Sequence, residues 1–180
     1  MRVLAISGSL KSDSTNAALL RAAAAMAPEQ MAVEVIDRLI GELPHFRPDL
    51  DEDGMTPPAA VAEWRKLFAT SDAVLISCPE YAHGVPGSFK NALDWLVSTC
   101  ELTDKPVALL MASPSGAPHA YAALRPTLVV MGCDLVFEAS LMFARRHLGD
   151  DGTLLDEQLA GEVRHALRAL ADAAERRRGS

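Results

Sequence analysis

No apolar run in the 180 residues approaches the ~18–20 that a membrane-crossing helix needs, so a membrane is not expected as a partner. The opening stretch Met1-Arg2-Val3-Leu4-Ala5-Ile6-Ser7 is too short, and meets a glycine too soon, to read as a signal peptide, which makes a cytoplasmic location the expectation. Positive charge is also scarce. Seventeen Lys and Arg stand against 24 Asp and Glu, a net charge of −7, and this balance lacks the sequence-independent attraction to phosphate that nucleic acid binding requires. Cysteine is sparse: Cys78, Cys100 and Cys133 are odd in number, widely spaced and free of any Cys-x-x-Cys pair. They are expected to be buried free thiols in a reducing compartment. No internal repeat and no low-complexity segment occurs.

What remains is rich in core material. Hydrophobic residues make up 49% and charged residues 23%, enough apolar surface for one domain over residues 1–180 to fold alone. Short apolar runs recur at 3–6, 33–36, 73–76, 107–112 and 135–137, each bounded by Gly, Pro, Asp or Ser. Near-continuous apolarity, in place of strict alternation, is what a strand covered on both faces requires, and it favours a parallel sheet. Helical spacing fills the intervals at 14–27, 57–70, 87–97, 118–131 and 155–175. Pro126 is expected to kink or restart the fourth of these helices. Val97 and Leu155 are assigned to the apolar stripes of the third and fifth, and Arg176, Arg177 and Arg178 to a solvated cap at the last helix end. Five strands alternating with helices imply right-handed crossovers and a three-layer α/β sandwich with a five-stranded parallel sheet. The one long irregular stretch, 39–55, carries Asp49, Asp51, Glu52 and Asp53 and is expected to overhang a ligand site or a subunit contact.

In such a sheet ligands bind beyond the carboxyl ends of the strands, which directs attention to the loops after the first, third and fourth strands. The first reads Gly8-Ser9-Leu10-Lys11-Ser12-Asp13-Ser14-Thr15-Asn16. Glycine lets the chain turn, a helix start offers unpaired N–H donors, and hydroxyl and amide side chains add more, so the loop suits a phosphate. An ordinary helix cap in a solvent-exposed loop accounts for the same residues. Neither the P-loop pattern, nor Gly-x-Gly-x-x-Gly, nor a phosphatase Cys-x-x-x-x-x-Arg occurs, and a held phosphate without a nucleophile suggests a bound cofactor. The second loop, Pro79-Glu80-Tyr81-Ala82-His83-Gly84-Val85-Pro86-Gly87, has a rigid course around an aromatic. The third, Ser113-Pro114-Ser115-Gly116-Ala117-Pro118-His119, is small enough for close approach to a flat ligand.

Gly8-Ser9-Leu10-Lys11 with Ser14 and Asn16, then Pro79-Glu80-Tyr81, Pro86-Gly87, Lys90-Asn91-Ala92 and Asp94-Trp95, resemble the NADPH-dependent FMN reductase family of flavodoxin-like proteins, which includes quinone, chromate and azo-dye reductases. The resemblance runs from residue 1 to about 140. It implies bound FMN, NADPH or NADH as hydride donor, a small-molecule electron acceptor, ping-pong kinetics, and a homodimer or homotetramer. It places Ser9, Lys11, Ser14, Thr15 and Asn16 at the FMN phosphate. Pro79, Glu80, Tyr81, Ala82 and Gly84 would border the isoalloxazine, with Ser113, Ser115 and Gly116 on its other side. No side chain is assigned as acid, base or nucleophile. The sequence departs from the family where Lys11 stands for the usual Arg, Ala82 for Asn, and Ser115-Gly116 for a Gly-Gly pair. His45, His83, His119, His147 and His165 show no metal-ligand spacing and are read as surface residues or neighbours of the site, and no metal is expected; His83 and His119 alone fall on the site loops, where either is a candidate to steer an acceptor or a nicotinamide phosphate. Lys90 and Asp94 read as a helix ion pair. The alternative classes are a flavodoxin-like electron carrier and a flavin-less binding module.

Overall fold

The computed structural model describes residues 1–52 and 54–179; of the acidic cluster, Asp53 lies outside the described residues. Ten main elements alternate along the chain: β1 (Arg2–Ser7), α1 (Thr15–Met26), β2 (Ala32–Ile36), α2 (Ala59–Ala69), β3 (Ala73–Cys78), α3 (Gly87–Asp94), β4 (Pro106–Ser113), α4 (Pro118–Val130), β5 (Asp134–Met142) and α5 (Glu157–Arg178). The strands form one all-parallel sheet in the order β2-β1-β3-β4-β5. The flavodoxin-like α/β sandwich expected from the sequence is therefore the observed one.

The period-two alternation of side chains splits each central strand between two cores. Leu4, Ile6, Val74, Ile76, Val107, Leu109 and Met111 face α2, α3 and α4, where Trp64, Phe68, Phe89, Leu93 and Leu124 pack against them. Val3, Ala5, Ala73, Leu75, Ala108, Leu110 and Ala112 face α1 and α5. Four of these seven are alanines, which lets Leu19, Leu20, Val163, Leu167 and Leu170 settle close on the sheet. The Trp64 indole donates to the Ala92 carbonyl at 2.8 Å, fixing α2 on α3 without leaving a buried donor unpaired.

Several expectations are corrected. The 135–137 run is only the start of β5, which continues to Met142. This strand is an edge, half-exposed, so its outer residues need not be apolar. Its pairing with β4 also slips by one residue between Val107 and Ala108, opposite Leu135 and Phe137, which leaves Val136 as a bulge. Helix α4 runs through Pro126 unbroken. Pro126 and Ala122 are both exposed, so water can meet the carbonyl that the missing N–H frees. Helix α3 ends at Asp94, and beyond it the helical face no longer repeats: Leu96 is buried but Val97 is 58% exposed. Helix α5 begins after Asp156, whose carboxylate caps the N–H groups of Gln158 and Leu159, so Leu155 precedes it and is 65% exposed. Cys78 is buried, but Cys133 is only partly covered and Cys100 is exposed. Arg176, Arg177 and Arg178 are exposed at the end of α5, as expected, and Arg178 also pairs with Asp72 at 2.8 Å.

The long 37–58 connection is pinned across α2 and α3. Asn91 accepts the Phe46 N–H at 2.7 Å and donates to the Pro44 carbonyl at 3.0 Å, which the Trp95 indole also reaches at 2.9 Å. Arg65 donates to Asp51 at 2.6 Å, in a largely buried pair, and to the Trp95 carbonyl at 2.8 Å. Asn91 and Trp95 thus hold backbone. Lys90 and Asp94 form the expected exposed pair one turn apart.

Candidate functional site: a shelf at the carboxyl ends of β1, β3 and β4

The topology reverses at β1: one connection leaves for β2, while its other neighbour, β3, begins the run to β4 and β5. The loops after β1, β3 and β4 therefore lie side by side, where open α/β sheets hold ligands.

The loop after β1 is a chain of local bonds. The Gly8 N–H donates to the Ser77 carbonyl at 2.9 Å, extending the β1–β3 ladder by one residue. Ser9 is buried; its N–H donates to Ser7 Oγ at 3.3 Å, and its own Oγ accepts the Lys11 N–H at 3.3 Å. Ser14, also buried, caps α1 by accepting the Ala17 N–H at 3.3 Å. Thr15 and Asn16 open the helix, so their N–H groups precede its internal ladder and are available to an anion. Asn16 is buried and its Oδ1 accepts the Ser77 hydroxyl at 2.8 Å, tying α1 to β3. Lys11 is exposed and turned toward Asp13, 3.0 Å away. Gly8 does not have the positive φ of a turn glycine. Its need is space: a Cβ there would meet Cys78 Sγ at 3.0 Å and Pro79 Cδ at 3.3 Å.

After β3 the chain makes a two-residue hairpin. Tyr81 and Gly84 exchange both N–H to O bonds at 3.0 Å, and between them Ala82 and His83 take φ of 49° and 58°. Positive φ at both central residues defines a type I′ turn, which favours Asn-Gly, so Ala-His holds it under strain. Tyr81 is half-exposed, and its hydroxyl lies 2.9 Å from Ser9 Oγ, joining this loop to the first. Pro79 is buried beneath.

The Glu80 carboxylate reaches across to α4. Its Oε2 accepts the N–H groups of His119 and Ala120 at 2.7 and 3.0 Å, completing the first turn of α4. The Ala120 N–H is the largest influence holding this carboxyl below its ordinary range. The loop after β4 turns tightly: Ser115 N–H donates to Ser113 Oγ at 3.2 Å, Gly116 N–H to the Ser113 carbonyl at 3.1 Å, and Gly116 and Ala117 have φ of 76° and 53°. Ser113 is buried while Ser115 is exposed. All thirteen site residues expected from the sequence thus lie on three adjacent loops or on the element ends that flank them, Thr15 and Asn16 opening α1 and Ser113 ending β4, with the loops joined by the Ser9–Tyr81 and Glu80–α4 bonds.

One anchoring residue, Ser77, and one contact, between His83 and His119, were left out of the expectations from the sequence. Ser77 anchors Asn16, and a serine inside an otherwise apolar strand was its visible signal. His83 and His119 stack at 4.2 Å, nearly parallel, although 36 positions apart. A cavity of about 570 Å³ lies elsewhere, between α1 and the start of α5 beside Arg21, Arg145 and Arg164.

Comparison with known proteins agrees with this geometry. The family described as NADPH-dependent FMN reductase matches residues 1–147. An NAD(P)H-dependent FMN reductase from Pseudomonas aeruginosa is 34% identical over 176 residues, covering 94% of this chain and 93% of that protein. A quinone reductase from Pseudomonas putida is 34% identical over 165 residues, covering 86% and 85%. Among solved structures, FerB, a flavoenzyme NAD(P)H:(acceptor) oxidoreductase from Paracoccus denitrificans, superimposes with a TM-score of 0.83 at 31% identity over 97% of each chain. With its sheet order, its hydroxyl-rich loop after β1 and this match over most of its length, the chain belongs to the NADPH-dependent FMN reductase family and is a flavin-dependent NAD(P)H oxidoreductase.

Proposed function

We propose that the three-loop shelf binds FMN within a single domain spanning the chain, and that the enzyme passes electrons from NADPH or NADH to a small-molecule acceptor such as a quinone, a flavin, an azo compound or chromate. The observation that carries this reading is the first loop: buried Ser9 and Ser14 hydroxyls beside the open N–H groups of Thr15 and Asn16, at the reversal point of the sheet. This donor set fits a phosphate monoester. Lys11 supplies a cation; its exposed pair with Asp13 is screened by water, so exchanging it for phosphate costs little.

Pro79, Tyr81, Ala82 and Gly84 line one side of the ring site, and Ser113, Ser115 and Gly116 the other. The Glu80 carboxylate fixes the two sides relative to each other through α4. FMN, when bound, supplies the two-electron chemistry, taking hydride from the nicotinamide and yielding it to the acceptor. The chain's residues would hold the ring at the shelf, where the nicotinamide and the acceptor take turns on one face. Exposed Val97, three residues beyond α3, and Val129 and Val130 at the end of α4 support a homodimer or homotetramer, measurable by light scattering. Free thiols are consistent with a cytoplasmic setting.

Titration of FMN into the purified protein should quench flavin fluorescence at one equivalent per chain, and anaerobic mixing with NADPH should bleach the bound flavin rapidly. Undimmed fluorescence overturns the binding reading. Bound flavin that stays oxidised overturns the enzymatic one and leaves a carrier.

A further inference from the structure

We propose that Glu80, His83 and His119 form a binding site for a late first-row divalent cation, of the Zn²⁺ or Cu²⁺ class, at the outer lip of the shelf. One ligand atom from each residue lies within 4.8 Å of the other two. The imidazoles already stand together, ring centroids 4.2 Å apart and 6° from parallel. Each ligand sits on a fixed piece of backbone. His83 is the second central residue of the type I′ hairpin closed by Tyr81 and Gly84, and His119 lies in the first turn of α4. Glu80 is held by two N–H bonds, both accepted by Oε2.

An ion with bonds of ~2.0–2.2 Å in tetrahedral array sets its ligand atoms ~3.3 Å apart, so no pair need close by more than about 1.5 Å. Glu80 is only partly buried and both histidines are exposed, so side-chain rotation alone can supply that movement. Two imidazoles and one carboxylate suit zinc, copper or nickel and are a poor match for magnesium or calcium, which prefer oxygen ligands. Exposure leaves the remaining coordination positions to water. The ion would tie the hairpin after β3 to α4, adding a second cross-link beside the Glu80 bonds. Spacing along the chain gives no hint of this site, because two ligands come from one loop and the third from the next crossover. The proposal stands on these three side chains and does not depend on the flavin reading.

Isothermal titration of zinc sulfate into the purified protein, with and without added FMN, tests it. Wild type should bind one equivalent per chain. His83→Ala and His119→Ala should each weaken that binding by about tenfold or more, while His165→Ala, on the distant and exposed face of α5, should retain it. Copper loaded at one equivalent should show two coupled nitrogens by electron paramagnetic resonance in wild type and one in each single variant. Circular dichroism and melting curves confirm folding, with His83→Gln and His119→Gln as second variants. No stoichiometric zinc binding by wild type overturns the site, as does unchanged affinity in either histidine variant or an equal loss in His165→Ala. The zinc readout involves no flavin signal, so failure of FMN binding and failure of this site are distinguishable.

Discussion

Adding one methyl group at residue 8 tests whether the first loop is positioned by packing against β3. In Gly8→Ala the new Cβ would lie 3.0 Å from Cys78 Sγ, 3.3 Å from Pro79 Cδ and 3.4 Å from Cys78 Cα. These neighbours are stiff: Cys78 is fully buried at the end of a central strand and Pro79 has a fixed ring. Overpacking of this kind costs about 1–3 kcal/mol, partly offset by the ~0.4–1 kcal/mol that alanine removes from the unfolded chain's entropy. A net loss of about 1–2 kcal/mol should lower the melting temperature by roughly 2–8 °C in a protein of this size. Gly41→Ala is the matched control. Its Cβ would meet Leu10 Cδ2 at 2.9 Å, a shorter approach, but Leu10 is 50% exposed and can swing away. That variant should melt within about 2 °C of wild type or slightly above it. Differential scanning calorimetry on FMN-free protein separates folding from ligand effects, and FMN titration should show weaker binding in Gly8→Ala because Ser9 is displaced. Equal melting shifts in the two variants would refute the packing argument.

Three further outcomes are expected. Ala82→Asn places a residue that tolerates left-handed backbone where φ is 49°, and should stabilise the protein by about 1 kcal/mol, a rise of roughly 2–4 °C; an unchanged or lower melting temperature counts against strain in the hairpin. Burial pushes the Cys78 thiol up to about 12 and the Cys133 thiol to about 11, whereas Cys100 is exposed, so a thiol reagent near neutral pH should find one fast group, absent in Cys100→Ser. Two fast groups in the native protein would contradict the burial pattern. Partial burial works to raise the pKa of Asp72, but the Arg2 N–H at 2.6 Å and Arg178 outweigh it and hold the carboxyl below its ordinary 3.8. A carboxyl depressed in the folded state contributes stability above its unfolded pKa and loses it as pH falls through the folded value. Asp72→Asn should therefore melt below wild type near neutral pH, with the gap closing below pH 3.8; a gap independent of pH removes ionisation as its cause.

The expected fold survived because its signal is local and redundant. Each central strand is a short apolar run buried on both faces, and α5 carries one apolar stripe over many turns, so run length and flanking turn residues together with periodicity separate strand from helix. The pattern weakened where an element reached the edge of the sheet or passed its own cap. The hydrogen-bonding groups of the first loop were legible because Gly8, Ser9, Ser12, Ser14, Thr15 and Asn16 stand close together in sequence at a helix start.

Composition and order along the chain thus determined the sandwich, the five strands and the cluster of donors after β1. Only the tertiary structure decided what each loop residue touches. Gly8 is required by the nearness of β3, Glu80 serves the first turn of α4, Asn91 and Trp95 hold the long connection, and His83 meets His119 across two loops. Periodicity records which way a side chain faces within its own element, whereas these contacts join residues tens of positions apart and exist only once parallel strands have brought their carboxyl ends side by side.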